Sequence, residues 1–326
     1  MPTVTALTEV GLIARLRRRL RDDPSVIVGI GDDAAVVRLA DRHHVLLIAS
    51  DLLVEGVHFD RTRVPAWRIG WKALACNVSD IAAMAGQPRW AVVSLGIPPT
   101  TPVRFVDELY TGLQRCASRY RLSVVGGDTV RAPQVVINVA IIGTARRDQV
   151  VQRHGARVGD VLFVTGRLGG SYPSGRHARL LPRVTEAQAL VRRCPVHAMM
   201  DLSDGLASDA WQMSRASRVV LELEESQVPV HRAAQTCRRP GCPCRRWPGR
   251  SAGYHAVMDG EDFELLFAVD RRAATQVPRR IGSCPVTPIG RVIRCGIGVQ
   301  WRRADGRVRL LRPTGFRHFH GKRVEP

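Results

Sequence analysis

The chain has 326 residues, is 45% hydrophobic and carries a formal net charge of +20, long enough for two ordinary domains with a sizeable core. No apolar run approaches the roughly 20 residues a membrane span needs, and the N-terminal stretch places its charges after its apolar residues, the reverse of a secretory signal. A membrane-spanning helix is therefore not expected, and a cytoplasmic location is. Of the 49 basic residues only Lys72 and Lys322 are lysines, so 47 are arginines, spread along the whole chain. That ratio reads as a coding bias producing a solvated arginine surface, so nucleic acid is not the expected partner, although attraction of an anionic substrate fits the charge.

In chain order, residues 7–20 read as a short helix and 25–30 as a strand stopped by Gly31-Asp32-Asp33. Residues 45–49 form a second strand ending at Ser50-Asp51. The clearest helix spans 67–85, where Trp67, Trp71, Leu74, Val78, Ile81, Ala82 and Ala85 recur at helical spacing. Strand 91–97 ends at Pro98-Pro99, 103–120 is helical, 122–125 is a strand running into Gly126-Gly127-Asp128, and 135–142 is a buried strand rich in β-branched residues. The polar stretch 146–159 separates an N-terminal domain, 1–148, from a C-terminal one, 149–326. In the second, 161–165 and 199–202 are strands, 206–216 a helix, and 264–269 and 286–293 strands; residues 236–254, rich in Pro, Gly, Arg and Cys, form an irregular insertion. The fold class is mixed α/β in two halves. Cys237, Cys242 and Cys244 lack the paired C-x2-C spacing of a zinc site and read as a cysteine-bearing loop.

The informative feature is where the acids stand. Asp32 and Asp33 follow Gly-Ile-Gly, Asp51 ends a strand, Asp128 follows a glycine pair, Asp201 and Asp204 flank Leu-Ser before a glycine, and Glu261 and Asp262 follow Gly260. At such turns the backbone can approach a ligand while aiming a carboxylate at it. Clustered carboxylates repel one another unless a cation neutralises them, and hard oxygen ligands in this number suit Mg2+. Asn77 and Asp80, three residues apart, share one side of the 67–85 helix, where an aspartate is costly to bury without such a partner. No Walker A sequence, H-R-D or D-F-G occurs, so ATP chemistry here would be of another type.

Seven blocks in order, GIGDDAAVV (29–37), SDLLVEGVHF (50–59), KALACNVSDIAAMAGQP (72–88), GGDTVR (126–131), VTGRLGGS (164–171), DLSDGLASD (201–209) and GEDFELLF (260–267), resemble the thiamine-monophosphate kinases, of the superfamily that includes aminoimidazole-ribonucleotide synthetase. The resemblance runs from about residue 7 to about residue 320. It implies a two-domain fold whose N-terminal half forms a homodimer through its sheet, and transfer of the γ-phosphoryl group of ATP, with Mg2+, to thiamine monophosphate. Carried over by position, it implies metal ligands at Asp33, Ser50, Asp51, Asp80, Asp128, Asp201 and Asp204, with Asp51, Asp80, Asp128 and Asp204 central to catalysis. It implies nucleotide contacts at Tyr120, Gly127, Asp128, Arg153 and Ser203, and acceptor contacts at His58, Glu261 and Phe316. The chain departs from the family pattern at Asp259, where a glycine is usual, at Ala49, where a hydroxyl is usual, in a short 171–196 stretch and in the 236–254 insertion. Two alternatives stay open: another ATP-using member of the superfamily, and, in a different class, a basic nucleic-acid-binding protein recognisable by salt-dependent retention on RNA without ATP turnover.

Overall fold

The structure, a computed structural model, describes residues 9–18, 23–235 and 251–313. After α1 (Glu9–Arg17), the first half runs β1 (Val26–Val28), β2 (Ala35–Arg38), β3 (His44–Val54), α2 (Ala66–Ala83), β4 (Gln87–Ile97), α3 (Val103–Tyr120), β5 (Ser123–Arg131) and β6 (Val136–Arg146). Its six strands form one sheet in the order β1-β2-β3-β6-β4-β5, antiparallel except for the parallel pair β4 and β5. Burial alternates along β6: Ile137, Val139 and Ile141 are fully buried, while Val136, Asn138 and Ala140 between them are not. One face of the sheet therefore packs on helices and the other does not.

Helix α2 lies on the packed face with α3 outside it, so 14 of its 18 residues are buried. Being covered on both sides, it is apolar nearly all round. The two helices touch backbone to backbone at Gly70 and Gly112. A Cβ at Gly112 would lie 1.7 Å from the Trp67 carbonyl oxygen, and one at Gly70 1.9 Å from that of Leu109.

The second half comprises β7 (Val161–Thr165), α4 (Val184–Arg193), β8 (Val196–Asp201), α5 (Leu206–Ser217), β9 (Val219–Glu224), α6 (Ser251–Met258), β10 (Leu265–Val269), β11 (Arg280–Ile281), β12 (Cys284–Cys295), β13 (Gly298–Arg302) and β14 (Val308–Leu310). They build a second sheet in the order β14-β13-β9-β12-β7-β10-β8, with β11 paired to β12. Both faces are covered: Leu162, Val164, Met200 and Leu266 share a core with α5 and α6, whereas Phe163, Met199 and Phe267 share one with α4. Covered on both faces, these strands read as continuous apolar runs rather than as alternation. Ala83 and Ala85, at the end of α2, enter the α4 core, so one helix serves both halves. Among the described residues no helix is long and apolar enough to cross a membrane.

Several elements differ from the sequence expectation. Strand β2 has four residues, too few for a period to show. In β9 the apolar run is broken by Glu222, which is nevertheless buried because Arg291 and Arg302 pair with its carboxylate at 2.9 and 2.6 Å. Strands β9, β11, β13 and β14 and helices α4 and α6 were not anticipated; α6 takes up residues 251–254 of the stretch expected to be irregular, whose residues 236–250 lie outside the described residues. Strand β5 does not stop at its glycines but runs on to Arg131. At Gly127 the chain passes so close to β4 that a Cβ would lie 1.7 Å from the Val93 carbonyl oxygen. Residues 237–244, with their three cysteines, lie outside the described residues; the other five cysteines are free thiols, four of them buried.

Candidate active site

A cleft of about 860 Å³ takes its walls from both halves: Asp51, His58 and Asp80 from the first, and Asp201, Ser203, Asp204 and Glu261 from the second. Its floor is acidic. Asp33 comes from the turn between β1 and β2, Asp80 from α2 and Asp201 from the end of β8, and one carboxylate oxygen of each lies within 4.8 Å of the other two. Ser79 Oγ donates to Asp201 Oδ2 at 2.6 Å, and the Asp51 N–H donates to Asn77 Oδ1 at 3.0 Å. Asn77 and Asp80 thus work from one side of α2, as their spacing predicts, with Asn77 pinning β3 at Asp51; the strand does not end there, as expected from the sequence, but continues to Val54.

These acids are held far from their ordinary ionisation. Burial, then the charge of Asp33, pushes Asp201 up to about 8. Burial, then Glu261 and Asp33, pushes Asp51 up to about 6. Asp80 is raised well above the carboxylate range by burial and by Asp51, Asp201 and Asp33. Carboxylates crowded together out of water cannot all ionise without added positive charge. Part of that charge is Arg153, whose guanidinium donates to Asp33 Oδ1 at 2.6 Å and to Gln212 Oε1 at 2.8 Å, while its N–H reaches the Asp32 carboxylate at 3.1 Å. Asp33 Oδ2 is buried with no hydrogen-bond partner, as expected of an atom that completes its shell with an ion. An all-oxygen set with one orphaned buried oxygen fits Mg2+.

The opposite wall is the loop Asp259–Phe263, whose successive acids go separate ways. Asp259, the departure from the family pattern, accepts from His255 Nδ1 at 3.0 Å and from the Gly170 N–H at 2.9 Å. Asp262 accepts from the Gly169 N–H at 2.7 Å and pairs with Arg176 at 2.5 Å. Glu264 is buried between Thr165 and Arg183. Glu261 alone of the four turns toward the first half, where its Oε2 meets Lys72 Nζ at 2.5 Å. Glu261 and Phe263 both adopt positive φ, 68° and 50°, a costly conformation for residues with a Cβ. It is held by Glu261 N–H to Ser203 O at 2.7 Å and Phe263 N–H to Leu202 O at 2.8 Å.

Of the residues singled out in the sequence, Asp33, Asp51, His58, Asp80, Arg153, Asp201, Ser203, Asp204 and Glu261 converge on this cleft and its acidic floor. Ser50 and Asp128 do not share it. They stand on the unpacked face of the first sheet, where Leu52, Asn138, Ser94 and Asp128 are paired in register across β3, β6, β4 and β5. Ser50 Oγ donates to Asn138 Oδ1 at 3.0 Å there. Asp128 lines a second cavity of about 310 Å³, and Leu52 lines both cavities. Gly127 lies in β5 beside it. Tyr120, at the end of α3, donates its hydroxyl to the Pro182 carbonyl at 3.2 Å and is not part of either cavity wall. Phe316 lies outside the described residues. The sequence reading gave no role to two supporting groups: Asp209, whose carboxylate accepts from the Asp204 and Gly205 N–H groups at 3.1 Å, and above all Lys72; Asp32, noted among the turn acids, proves to be an Arg153 partner rather than part of the floor. For Lys72 a signal existed, since it is one of two lysines among 49 basic residues.

Two domain families match the chain: the N-terminal domain of AIR synthase related proteins over residues 31–145 and the C-terminal domain over 165–302. The chain is 38% identical over 320 residues to the thiamine-monophosphate kinase of Rhodopirellula baltica, covering 95% of this chain and 97% of that one. It is 32% identical to that of Aquifex aeolicus, covering 96% and 98%. Among solved structures, AaThiL complexed with AMPPCP and TMP superposes with a TM-score of 0.82 at 31% identity over 98% of this chain and 99% of that one. The hydrogenase maturation protein HypE of E. coli, at 22% identity and a TM-score of 0.69 over 92% and 96%, shares the fold. The blocks quoted above, the two-sheet architecture and these full-length matches agree: the chain belongs to the thiamine-monophosphate kinase family of AIR synthase related proteins.

Proposed function

We propose that this protein phosphorylates thiamine monophosphate to thiamine diphosphate with ATP and Mg2+, by direct in-line transfer. The observation that carries the reading is the convergence of Asp33, Asp80 and Asp201, beside Asp51, in a cleft with His58 on its first-half wall and Glu261 on the opposite one. Full-length similarity to a protein solved with an ATP analogue and TMP supports the same assignment.

Both reacting groups are anionic phosphates, so repulsion and alignment are the obstacles. Asp33, Asp51, Asp80, Asp201 and Asp204 would hold Mg2+ in the cleft, and Asp128 and Ser50, on the other face of the sheet, would serve a separate ion. When bound, Mg2+ supplies the charge that lets phosphate oxygens approach one another. The acceptor phosphate is already ionised near neutral pH, so the chain needs no dedicated base. Its residues position and screen: Arg153, Ser203, Gly127 and Tyr120 toward the nucleotide, and His58, Glu261 and Phe316 toward the cationic thiamine end. In this reading residues 1–148 and 149–326 act as separate domains that close on the nucleotide, and ATP use supports action in the cytoplasm.

A homodimer is part of the proposal. Ile48, Leu52, Trp90 and Val92 are between 39% and 52% exposed on the unpacked face of the first sheet, and an apolar sheet face of this kind calls for a partner. The direct test is to incubate purified protein with MgATP and thiamine monophosphate and to separate the products chromatographically. Thiamine diphosphate formed in step with ADP is expected; none at saturating Mg2+ would overturn the assignment.

A further inference from the structure

Lys72 projects from α2, is 0% exposed and has not been given a role above. Its Nζ donates to the His58 carbonyl at 2.7 Å and pairs with Glu261 Oε2 at 2.5 Å. His58 belongs to the turn after β3, and Glu261 to the strained loop of the second half. One ammonium group therefore ties together, across the cleft, the two residues proposed to meet the acceptor.

The chemistry of the position selects lysine. The chain uses arginine at 47 of its 49 basic positions, yet here, under complete burial, it keeps a compact point charge on a thin stem. A planar five-donor guanidinium would have to find room and partners in the same space. A buried charge is tolerated only when paired and hydrogen-bonded, and the carbonyl and the carboxylate meet that need. The pair also serves Glu261. That carboxylate lines the same cleft as Asp51, and Lys72 anchors one of its oxygens there. Glu261 Oε2 is buried and has no aligned hydrogen bond, so the Lys72 ammonium 2.5 Å away meets it as an ion pair, whereas the side chain as a whole is 24% exposed and lines the cleft.

We infer that Lys72 is a positioning residue for the acceptor: it holds Glu261 fixed against the His58 turn, so that the remaining face of the carboxylate meets the cationic part of the incoming molecule. The inference rests on the kinase reading above and adds to it the residue on which acceptor recognition depends.

The test is a double-mutant cycle with Lys72→Met, Glu261→Gln and the double variant, measuring KM for thiamine monophosphate and for MgATP separately. Lys72→Met is expected to raise the acceptor KM roughly 10- to 100-fold, the worth of one charge-assisted hydrogen bond, and to leave the MgATP KM within about twofold, as one uncoupled from the nucleotide would. The double variant is expected to match Glu261→Gln, because Lys72 acts through that group. An unchanged acceptor KM, equal rises in both KM values, or multiplying effects in the double variant would overturn the proposal. Should Lys72→Met fail to fold, the Lys322→Arg chain retains Lys72 as its sole lysine. Its 13Cε signal, in lysine-labelled protein, is expected to shift on adding thiamine monophosphate, and the shift to vanish with Glu261→Gln. A signal indifferent to the acceptor would overturn the proposal. Absence of product from the wild-type protein would remove the kinase reading and this proposal with it. Product from the wild type with an unaltered Lys72→Met profile would remove this proposal alone.

Discussion

Stripping divalent metal and raising the pH should destabilise this protein, and the acidic floor of the cleft sets the size of the effect. Asp201 is 4% exposed, and burial followed by the charge of Asp33 raises its pKa to about 8. Burial and then Asp33 raise Asp32 to about 7. Unfolded aspartates titrate near about 3.9. The folded chain therefore keeps protons that the unfolded chain releases, so this contribution is intact below about pH 4 and is lost as the pH rises through about 8. His177 works the other way. Burial, with Lys72 next in weight, lowers it to about 4, so its contribution is present above the unfolded value near about 6.5 and is lost as the pH falls toward about 4. The trends oppose below pH 6.5, and above it the acids act alone. One proton held by Asp201 corresponds to about 1.4 kcal/mol per pH unit, hence roughly 2 kcal/mol between pH 6.5 and 8, or about 3 °C in Tm for a chain of this length. The assay is thermal unfolding in EDTA at three pH values across that window, repeated with MgCl2 and with Asp201→Asn. Tm should fall with pH in EDTA. Mg2+ should raise Tm more at pH 8 than at pH 6.5, because it binds the deprotonated acids. Asp201→Asn should flatten the EDTA slope. A Tm that is level or rising in EDTA, or a variant that keeps the full slope, would refute the reasoning.

Three further outcomes are expected. Asp80→Asn should lower turnover by about 10²-fold or more at saturating Mg2+, in the range of losing one charge-positioning group, while circular dichroism stays native; near-normal kcat would count against the mechanism. Gly112→Ala forces a Cβ within 1.7 Å of the Trp67 carbonyl and should cost about 3 kcal/mol in urea unfolding, the upper end of core overpacking. Because α2 carries Asp80 and Lys72, activity should drop alongside. Val92→Asp, in the middle of the unpacked sheet face, should convert a dimer into a monomer by light scattering after gel filtration, and an unchanged mass would place the dimer contact elsewhere.

The fold is a way of concentrating carboxylates that would otherwise repel. Asp33, Asp80 and Asp201 come from three separate elements, and each is brought in by packing that is apolar and unrelated to charge: the β1–β2 turn by its sheet, Asp80 by an α2 buried on both sides, and Asp201 by a strand in the middle of two cores. The free energy of burying Ile69, Leu74, Val78 and Ile81 on α2 alone, at roughly 1.5–3 kcal/mol for each fully buried side chain, outweighs the roughly 2 kcal/mol that Asp201 loses between pH 6.5 and 8 through its burial and the charge of Asp33. The cluster is thus held by neighbours that gain nothing from it, and relief of its repulsion is left to Arg153 and to bound cations.

This division explains what could be read from the residues alone. Most of the acids were legible because they stand beside a glycine or at a strand end in a chain where acids are outnumbered, and Asn77 with Asp80 because three residues on a helix is a fixed geometry; Asp51 was expected to end its strand but lies inside β3, which runs on to Val54. The sheets were only partly legible. Glu222 hides in β9 through pairing with Arg291 and Arg302, partners 69 and 80 residues away, and no local pattern carries that information. Gly126-Gly127 looked like a stop because glycine usually marks a turn; here it is the absence of a side chain that lets β5 pass against Val93 and continue. The placement of Asp128 on the face opposite Asp51 was equally out of reach, since it follows from strand register across β5, β4, β6 and β3 rather than from spacing. Lys72 falls between the two cases. Its rarity was in the composition, but rarity alone does not say that a residue is buried. Only the meeting of α2 with the 259–263 loop gives the ammonium its carboxylate. Where a residue's role depends on a contact between the halves, composition can mark it and topology must supply the reason.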